Sequence, residues 1–326
     1  MKEILILDIK DGKEGQPSYE RVKAFKEFYN NNGFNVISID TPSSFRELFK
    51  LILIIYKRNT IESVFLSMPP FKNWILFLFF KNKIILDIRD GWSIAMLTGY
   101  GETVLPKKKK AKVARFIERF AINRAKIIIS CTLGLVKYLE DLSNNKIIFI
   151  PNGFSQKDMS IVKGIECENR DNDDLIKMVC VGKFSEYGKD KIKALIKKVK
   201  QQFSDKRIQI NLVGTNFEQN KWTLDYVKNI NKLDIIFTDR LGREDMYKEI
   251  MKNDFGITII RDINYDYGTK VYDYILCDIP VFNFYKKNTP FTSYFKGVFH
   301  DDFNKHIDKS SYHRSLTIQN KKTDLI

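Results

Sequence analysis

Short apolar runs alternate with amphipathic stretches along the whole chain. In the first half, runs rich in β-branched residues predict strands at 4–7, 35–39, 63–66, 83–86, 125–129 and 146–150. These runs are continuous rather than alternating, which is typical of a parallel sheet covered on both faces. The amphipathic stretches between them predict helices at 19–31, 44–56, 109–123 and 133–141. The repeated βα order predicts a doubly wound domain.

A second βα series follows the segment Pro151-Asn152-Gly153. It predicts strands at 177–181, 208–213, 234–237, 255–260 and 280–283. We therefore expect an α/β protein with two Rossmann-like parallel-sheet domains that face each other across a cleft, where ligands of such sheets bind. The predicted parts are a first domain (1–154), a polar linker (155–174), a second domain (175–300) and a helical tail (301–326) that packs back on the first domain.

Composition narrows the class of protein. The chain has 326 residues, of which 44% are hydrophobic, so an intrinsically disordered protein is excluded. The cysteines form no C-x-x-C pair and the three histidines fall near the C-terminus, which predicts reduced core thiols and no zinc site. The start has no signal-peptide pattern, and the longest apolar run, 74–80, is too short to span a membrane. We expect a cytoplasmic protein.

Glycines and lysines follow two predicted strands of the second series. Gly182-Lys183 ends one strand, Gly188-Lys189 precedes a helix that starts near Asp190, and Gly214 ends the next strand. Glycine turns before a helix let backbone N–H groups approach a phosphate, and lysines add positive charge. The alternative is an ordinary glycine turn with solvated lysines.

The segment 267–281 predicts a loop, a short helix at 269–276 and an apolar strand. Lys270 and Asp273 lie three residues apart, on one face of that helix. A carboxylate there is suited to accept hydrogen bonds from ribose hydroxyls, and a lysine at a helix start is suited to meet a phosphate. The alternative is a surface ion pair.

Together, these segments resemble the donor-binding domain of the two-domain GT-B glycosyltransferases. The resemblance is to the retaining, nucleotide-sugar-dependent type of bacterial surface polysaccharide pathways, and it covers about residues 150 to 281. Four segments are similar in order: the Pro-Asn-Gly hinge (150–154), the phosphate loop (181–189), the nucleobase loop (237–247) and the sugar and ribose segment (268–281).

The resemblance implies donor contacts from residues of these segments, which are Gly182, Lys183, Lys189, Gly214, Leu241, Tyr267, Gly268, Thr269, Lys270 and Asp273. The family often has two glutamates eight positions apart in the last segment. Here Asp273 fills the second place, while Tyr265, followed by Asp266, stands at the first. Lys270 with Asp273-Tyr274 is closer to a variant that carries a lysine and a Glu-Tyr pair.

The implied enzyme is a hexosyltransferase. It would move a sugar from a nucleoside diphosphate sugar, with UDP or GDP as nucleotide, to a hydroxyl of a glycan or polyprenyl-diphosphate-linked acceptor. The resemblance implies retention of configuration. It also implies a role in the assembly of O-antigen, capsule, lipopolysaccharide or a similar polysaccharide. Lys183 and Lys189 would stabilise the charge of the leaving diphosphate. No metal or other cofactor is implied, and we interpret Asp171-Asn172-Asp173 as part of the linker rather than a metal motif.

Charged residues and an indole close a strand of the first domain. We predict acceptor contacts at this end and at an N-terminal glycine, from Gly12, Asp87, Arg89, Asp90 and Trp92. Asp90 or Asp87 would lie near the acceptor hydroxyl, and Trp92 would stack on a sugar. An inverting route would need a base, for which Asp90 is the candidate. The alternative is an internal Asp–Arg pair that orients the loop.

A basic segment carries much of the net charge of +15. Residues 105–126 contain nine basic side chains and one acid, Glu118. We predict that Lys112, Arg115 and Arg119 share one helix face opposite the apolar residues Val113, Phe116, Ile117 and Phe120. Such a helix is attracted to an anionic membrane, so we expect a peripheral protein on the inner face of the cytoplasmic membrane.

Two other classes of protein compete with this interpretation. A basic nucleic-acid-binding protein is disfavoured because no such motif is found and aromatics do not interleave with the charge run. Another enzyme with two Rossmann-like domains, such as a nucleotide-sugar epimerase, remains open. A nicotinamide-dependent oxidoreductase lacks the expected G-x-G-x-x-G after the first strand.

Overall fold

The computed structural model describes residues 2–10, 12–68, 71–166 and 174–326. Backbone contacts divide the chain into two compact units. Unit 1 comprises Met1–Gly153, Asn264–Asp266 and Ser310–Ile326, and unit 2 comprises Phe154–Ile263 and Tyr267–Lys309.

Among the described residues, unit 1 holds a six-stranded sheet in the order β2-β1-β3-β4-β5-β6. Its strands are β1 (Glu3–Asp8), β2 (Asn35–Asp40), β3 (Ile61–Met68), β4 (Ile84–Ile88), β5 (Ile127–Ser130) and β6 (Ile147–Phe149). All neighbours pair in parallel, so the carboxyl ends of the strands share one edge.

Helices cover both faces of this sheet. They are α1 (Pro17–Asn31), α2 (Phe45–Lys57), α3 (Leu76–Phe79), α4 (Trp92–Leu97), α5 (Gly99–Glu102), α6 (Lys108–Arg124), α7 (Leu133–Glu140), α15 (Arg314–Gln319) and α16 (Lys322–Leu325). One core contains buried residues of α2, α3, α6 and α7, and the other contains residues of α1, α15 and α16. The parallel strands are therefore apolar on both faces, as their continuous runs predict.

Unit 2 is built on a four-stranded parallel sheet in the order β10-β7-β8-β9. Its strands are β7 (Leu175–Val181), β8 (Arg207–Val213), β9 (Leu233–Thr238) and β10 (Phe255–Ile257). Its helices are α8 (Gln156–Lys163), α9 (Lys189–Gln202), α10 (Phe217–Asn220), α11 (Trp222–Val227), α12 (Arg243–Met251), α13 (Lys270–Leu276) and α14 (Pro290–Tyr294).

The predicted helices of the first half are confirmed to within two residues at either end. Capping explains two of the starts. Ser44 accepts a hydrogen bond from the Glu47 N–H ahead of α2, and Thr132 accepts one from the Leu135 N–H ahead of α7.

Two predictions for unit 2 are wrong. The strand predicted at 280–283 is reduced to isolated bridges from Val281 to Gly256 and to Phe299. The strand predicted at 255–260 ends at Ile257, because the Tyr285 hydroxyl, rather than a neighbouring strand, bonds the Thr258 carbonyl and the Ile260 N–H.

The stretch predicted as linker begins with a helix. Ser155 and Asp158 form a reciprocal capping box at the start of α8, which stabilises this turn despite its polar composition. Cys131, Cys180 and Cys277 are buried free thiols, as predicted, while Cys167 lies outside the described residues.

The basic residues Lys112, Arg115 and Arg119 of α6 are exposed as predicted, but the predicted apolar face is only partly buried, at Ile117 and Phe120. The helix buries Ala111, Ala114, Glu118, Ala121 and Ile122, and it exposes Val113 and Phe116. Small residues let the helix pack closely on its neighbours, so the larger apolar side chains point away from the core. In the described ranges, we find no helix with the length and apolar character needed to cross a membrane.

Candidate functional site

Two glycine turns lie side by side at the carboxyl edge of the unit 2 sheet. Val181 pairs with Val213, so Gly182 and Gly214 follow adjacent strands. Both have positive φ, +89° for Gly182 and +63° for Gly214, which favours glycine. The Gly182 N–H donates to the Val213 carbonyl at 2.9 Å, and a Cβ at Gly182 would meet no atom within 4 Å. This turn leaves space beside the backbone.

Lysines of the same turns rest on aromatic rings. Lys183 Nζ lies 5.2 Å from the ring centroid of Tyr187, and Lys189 Nζ lies 5.2 Å from that of Trp222. Both lysines are exposed. Lys189 is the first residue of α9, preceded by Gly188 at φ +118°. A cation over a ring loses some of its freedom, so these lysines differ from fully solvated ones.

The predicted carboxylate of unit 2 lies in a short polar chain. Lys270 Nζ is 3.0 Å from Asp273 Oδ2, and the Tyr247 hydroxyl donates to Asp273 Oδ1 at 3.3 Å. Asp273 is buried, while Lys270 is half-buried. Burial and then the Asp273 carboxylate raise the pKa of Tyr247, so this hydroxyl remains a donor.

Tyr274 fixes α13 to the sheet. Its buried hydroxyl lies 2.9 Å from the Ile257 carbonyl and accepts from the Val181 N–H at 3.2 Å. These atoms belong to the ends of β10 and β7, so Lys270 and Asp273, on the same helix, are held near the glycine edge. Gly268 packs tightly before α13, since a Cβ there would approach the Thr258 hydroxyl to 2.5 Å.

Other donor candidates take different positions. The Tyr267 side chain is buried, stacks on Tyr294 with centroids 5.1 Å apart and donates to the Pro290 carbonyl at 3.0 Å. Its side chain therefore serves the aromatic core of unit 2. Leu241 and Thr269 are half-buried, close before α12 and α13 respectively.

Sequence reasoning did not single out Arg243, the first residue of α12. Arg243 Nε donates to Asp158 Oδ1 at 2.6 Å, and its guanidinium lies 5.8 Å from the Tyr247 ring centroid. Burial alone would raise the pKa of Asp158, but the Ser155 N–H and the Arg243 guanidinium outweigh it and lower that pKa. The sequence pattern could not predict this ion pair, because Asp158 and Arg243 are 85 positions apart.

In unit 1, Asp87 lies at the centre of a buried network. Arg21 Nη2 is 2.8 Å from Asp87 Oδ1, and Ser67 Oγ donates to Asp87 Oδ2 at 2.9 Å. Arg21 also donates to the Pro151 carbonyl at 3.2 Å and to Asn152 Oδ1 at 3.3 Å. The predicted alternative of an internal Asp–Arg pair is present, but its arginine is Arg21 rather than Arg89.

The remaining acceptor candidates surround the end of β4. Arg89 Nε donates to Ser67 Oγ at 2.9 Å, and Asp90 is half-buried. Trp92 begins α4, and its N–H donates to Glu118 Oε1 at 2.7 Å. Gly12 is tightly packed instead, because a Cβ would lie 2.9 Å from the Ile9 carbonyl oxygen and 3.0 Å from the Tyr19 ring.

Glu118, the one acid of the basic segment 105–126, has a structural role. Its carboxylate accepts from the N–H groups of Trp92 and Ser93 and, at 2.8 Å, from the Tyr138 hydroxyl. Burial and then the Glu118 charge raise the pKa of Tyr138, so its hydroxyl remains protonated. Glu118 thus caps the short helix α4.

Tyr265 stands where the resembled family has its first acid. It belongs to unit 1, where its ring packs edge-on against Tyr138 at 6.2 Å and its carbonyl accepts from Thr132 Oγ1 at 3.0 Å. A Cβ on Gly134 would overlap the Asn264 carbonyl oxygen, so this glycine is required for the close approach of the 264–266 segment. Tyr265 has a packing role here.

Within the described ranges, no three His, Cys, Asp or Glu side chains cluster as a metal site would need. Asp171-Asn172-Asp173 lies outside those ranges.

Solved structures resemble this architecture over the whole chain. The apo form of the lipopolysaccharide outer core galactosyltransferase WaaB has a TM-score of 0.61 at 12% identity, with 100% of both chains covered. Sucrose-phosphate synthase (tll1590) from Thermosynechococcus elongatus has a TM-score of 0.60 at 12% identity, covering 99% of this chain and 94% of that one. The chain has the GT-B fold.

The GT-B fold also carries other chemistry. UDP-GlcNAc 2-epimerase from Methanocaldococcus jannaschii, solved with UDP-GlcNAc and UDP, has a TM-score of 0.50 at 11% identity, with 100% of both chains covered. No family model and no curated protein matches this sequence. At such identities the similarity establishes the fold, and function has to be argued from the side chains.

Proposed function

We propose that this protein is a glycosyltransferase that moves a sugar from a nucleoside diphosphate sugar to a hydroxyl of a glycan or lipid-linked acceptor. The observation that carries the proposal is the carboxyl edge of the unit 2 sheet. Gly182 and Gly214 end adjacent strands there with positive φ, and Tyr274 holds the Lys270–Asp273 pair near the same edge. Backbone donors, lysines and a carboxylate suit a diphosphate next to a ribose.

Different groups of unit 2 bind different parts of the donor. The first N–H groups of α9 face the diphosphate, with Lys183 and Lys189 as counter-charges. Lys270 and Tyr247 each bond one oxygen of Asp273, and a carboxylate oxygen can accept a second hydrogen bond, here from a ribose hydroxyl. The open side of Gly182 admits phosphate oxygens close to the backbone.

During transfer, the bond from the sugar to the leaving diphosphate breaks while negative charge grows on that diphosphate. Lys183 and Lys189 stabilise this charge, so the chain supplies the positive groups of the reaction itself. The acceptor hydroxyl attacks from the same face with retention, and the leaving phosphate takes its proton. An inverting reaction would instead use Asp90 as base.

Acceptor residues are proposed at the end of β4. Asp90, Arg89 and Trp92 are half-buried there, whereas Asp87 is fully buried. Asp87 therefore acts on the acceptor site through Ser67 and Arg89 and not by direct contact. We propose the glycans of O-antigen, capsule or a similar polysaccharide as acceptors, with UDP or GDP as the donor nucleotide.

The test measures release of nucleoside diphosphate from a panel of UDP- and GDP-sugars with lipid-linked glycan acceptors. Lys183→Ala and Asp273→Asn should lower turnover at least about 100-fold, since each removes a charge at the reacting diphosphate or the ribose. The matched control is Lys193→Ala, because Lys193 also rests over a ring, that of Tyr226 at 5.9 Å, but lies one helical turn further along α9 than Lys189. Full activity of either site variant would contradict the assignment.

Nucleotide-sugar epimerisation is the second candidate, supported by the similarity to the UDP-GlcNAc 2-epimerase fold. The same assay separates the two functions. A transferase forms a new glycosidic bond only with acceptor, whereas an epimerase changes the sugar of UDP-GlcNAc without acceptor. Sugar NMR spectra before and after incubation distinguish these products.

We also propose peripheral attachment to the inner face of the cytoplasmic membrane. Lys107 and the first three residues of α6, Lys108–Lys110, are exposed lysines. Each basic residue near an anionic surface contributes about 1 kcal/mol of attraction. Attachment would bring the enzyme to a lipid-linked acceptor, which lies in the membrane.

A further inference from the structure

The outer face of α2 is apolar although the helix lies on the surface. Its inner stripe of Leu48, Leu51, Ile52 and Ile55 is buried in the unit 1 core. Its outer stripe follows the same helical spacing and consists of Phe45, Phe49, Leu53 and Tyr56. Phe45 is 82% exposed and Phe49 is 61% exposed. Contiguous exposed apolar side chains of this size are typical of an interaction surface.

This apolar surface continues onto α3. Leu78 and Phe79 are exposed, and the neighbouring Phe80 ring contacts Tyr56 with centroids 5.4 Å apart. Because Phe80 packs against the last turn of α2, the exposed residues of the two helices are neighbours.

Helix α6 covers the same face of the unit 1 sheet. Buried residues of α2, α3 and α6 share one core, and Arg124 at the end of α6 donates to carbonyls of α3. On its outer side, Val113 is 62% exposed and Phe116 is 72% exposed. We call this surface the α2–α3–α6 face and define it by Phe45, Phe49, Leu53, Tyr56, Leu78, Phe79, Val113 and Phe116.

The same helices and their flanks also carry exposed cations. The exposed basic residues of the three helices and their flanks include Arg46, Lys50, Lys57, Lys81, Lys108, Lys109, Lys110, Lys112, Arg115 and Arg119. Glu47, an acid of α2, already accepts hydrogen bonds from Ser43 and is therefore engaged at the helix start. The surface thus combines apolar groups with positive charge.

The charge at the start of α6 is unfavourable for the helix itself. Its first turn contains lysines and no acid, and Lys107 provides no side-chain cap. Positive charges at a helix N-terminus oppose the macrodipole by roughly 0.3–1 kcal/mol each. An anionic partner offsets this cost, which favours a partner with many negative charges beside an apolar phase.

We propose that the α2–α3–α6 face docks on a bilayer rich in anionic lipid. Phe45, Phe49 and Phe79 enter the boundary between headgroups and acyl chains, and the lysines of α6 contact phosphates. A bilayer supplies both the apolar phase and the negative charge, whereas nucleic acid supplies no apolar phase for the aliphatic residues. The inference rests on the membrane attachment proposed above and not on the transfer reaction.

The experiment measures binding of the full chain to sedimented vesicles of phosphatidylcholine with or without 30% phosphatidylglycerol, at low and high salt. The wild type should bind the anionic vesicles and retain a fraction at high salt, because burial of apolar area is not screened. Phe45→Ser with Phe49→Ser should lower the partition at least about tenfold and remove the salt-resistant fraction.

Leu316→Ser is the matched control. Leu316 is an exposed leucine of the same unit, on α15 over the opposite face of the sheet, so its loss should leave vesicle binding unchanged. Insertion is read directly with Phe49→Trp and Leu316→Trp: brominated lipid should quench the added fluorescence of the first variant and not that of the second.

Unchanged vesicle binding by the double serine variant would overturn the proposal while leaving the electrostatic attachment intact. Wild-type dimers that the same variant dissociates, without any vesicle binding, would assign the face to a second copy and also overturn it. Turnover of a soluble acceptor should be equal in wild type and variant. An inactive wild type that still inserts would contradict the proposed reaction alone.

Discussion

Arg21 and Asp87 carry opposite charges in a region without solvent access. Both are fully buried, and each oxygen of Asp87 accepts hydrogen bonds from Arg21 or Ser67. Because the pair also binds the Pro151 carbonyl and Asn152, it links the end of β4 to the chain segment that closes unit 1. Charge pairing here fixes backbone geometry next to the proposed acceptor residues.

Asp87→Ala should lower the free energy of unfolding of unit 1 by about 3–5 kcal/mol, because Arg21 would remain buried without its counter-charge. Urea unfolding measures the loss. Glu62→Ala is the control: Glu62 pairs with Lys2 at 3.3 Å on the surface, where a pair contributes at most about 1 kcal/mol. A loss below that of the control would contradict the interpretation of the pair.

The sequence revealed part of this arrangement. The charged cluster at 87–92 predicts either an internal pair or an acceptor site, and the structure contains the pair. The partner of Asp87 was not predictable. Arg21 lies 66 positions earlier on an amphipathic helix, where the sequence pattern predicts an ordinary surface cation. Likewise, the sequence pattern predicts Tyr267 as a site residue. Its aromatic neighbours are distant in sequence and meet it only in the folded protein.

At the scale of elements, α4 depends on a side chain from another helix. It has only six residues, and Glu118 of α6 accepts from the first two N–H groups of the helix. A short helix has little stability of its own in water, so this cap decides whether Trp92 is held in place.

Glu118→Ala should destabilise unit 1 by about 2 kcal/mol, since the N–H groups of Trp92 and Ser93 and the buried Tyr138 hydroxyl would lose their acceptor. Hydrogen exchange of the Trp92 and Ser93 amides should accelerate. Glu118→Gln keeps an acceptor oxygen and should retain most of the stability. Equal losses in the two variants would mean that charge, rather than hydrogen bonding, is what α4 requires.

Hydrophobic periodicity predicts the boundaries of helices and strands better than it predicts which face of each is buried. The boundaries of α6 are predicted well, but its buried face is not, because alanines and one glutamate form that face. A hydrophobic pattern assigns the larger residues to the core, and it fails here because small residues form the buried face while Val113 and Phe116 are exposed. The prediction of a strand at 280–283 is wrong for a similar reason. Apolar residues that are buried by helices and loops have the same sequence pattern as a buried strand.

At the scale of the molecule, the two units have separate cores, so a ligand of one unit should stabilise that unit first. A nucleoside diphosphate at about 100 times its dissociation constant adds roughly 2.7 kcal/mol. Scanning calorimetry with UDP and GDP should therefore move the transition of unit 2.

Gly256→Ala identifies that transition. An added Cβ would lie 2.5 Å from the Tyr274 ring, so the substitution should lower the melting temperature of unit 2. The transition lowered by this variant should be the one that nucleotide raises in the wild type. Nucleotide stabilisation of the other transition would refute the donor site proposed for unit 2.

The C-terminal segment of unit 1 has a consequence for synthesis on the ribosome. Ile318 and Leu325 are buried among residues of β1, α1 and β6, and Arg314 bonds the Gly153 carbonyl. Residues 2–153 therefore leave the exit tunnel long before the side chains that cover one of their cores. Until residues 310–326 are translated, Ile4, Phe25 and Ile150 lack part of their cover. The nascent first unit should attract chaperones, while the second unit is already able to fold.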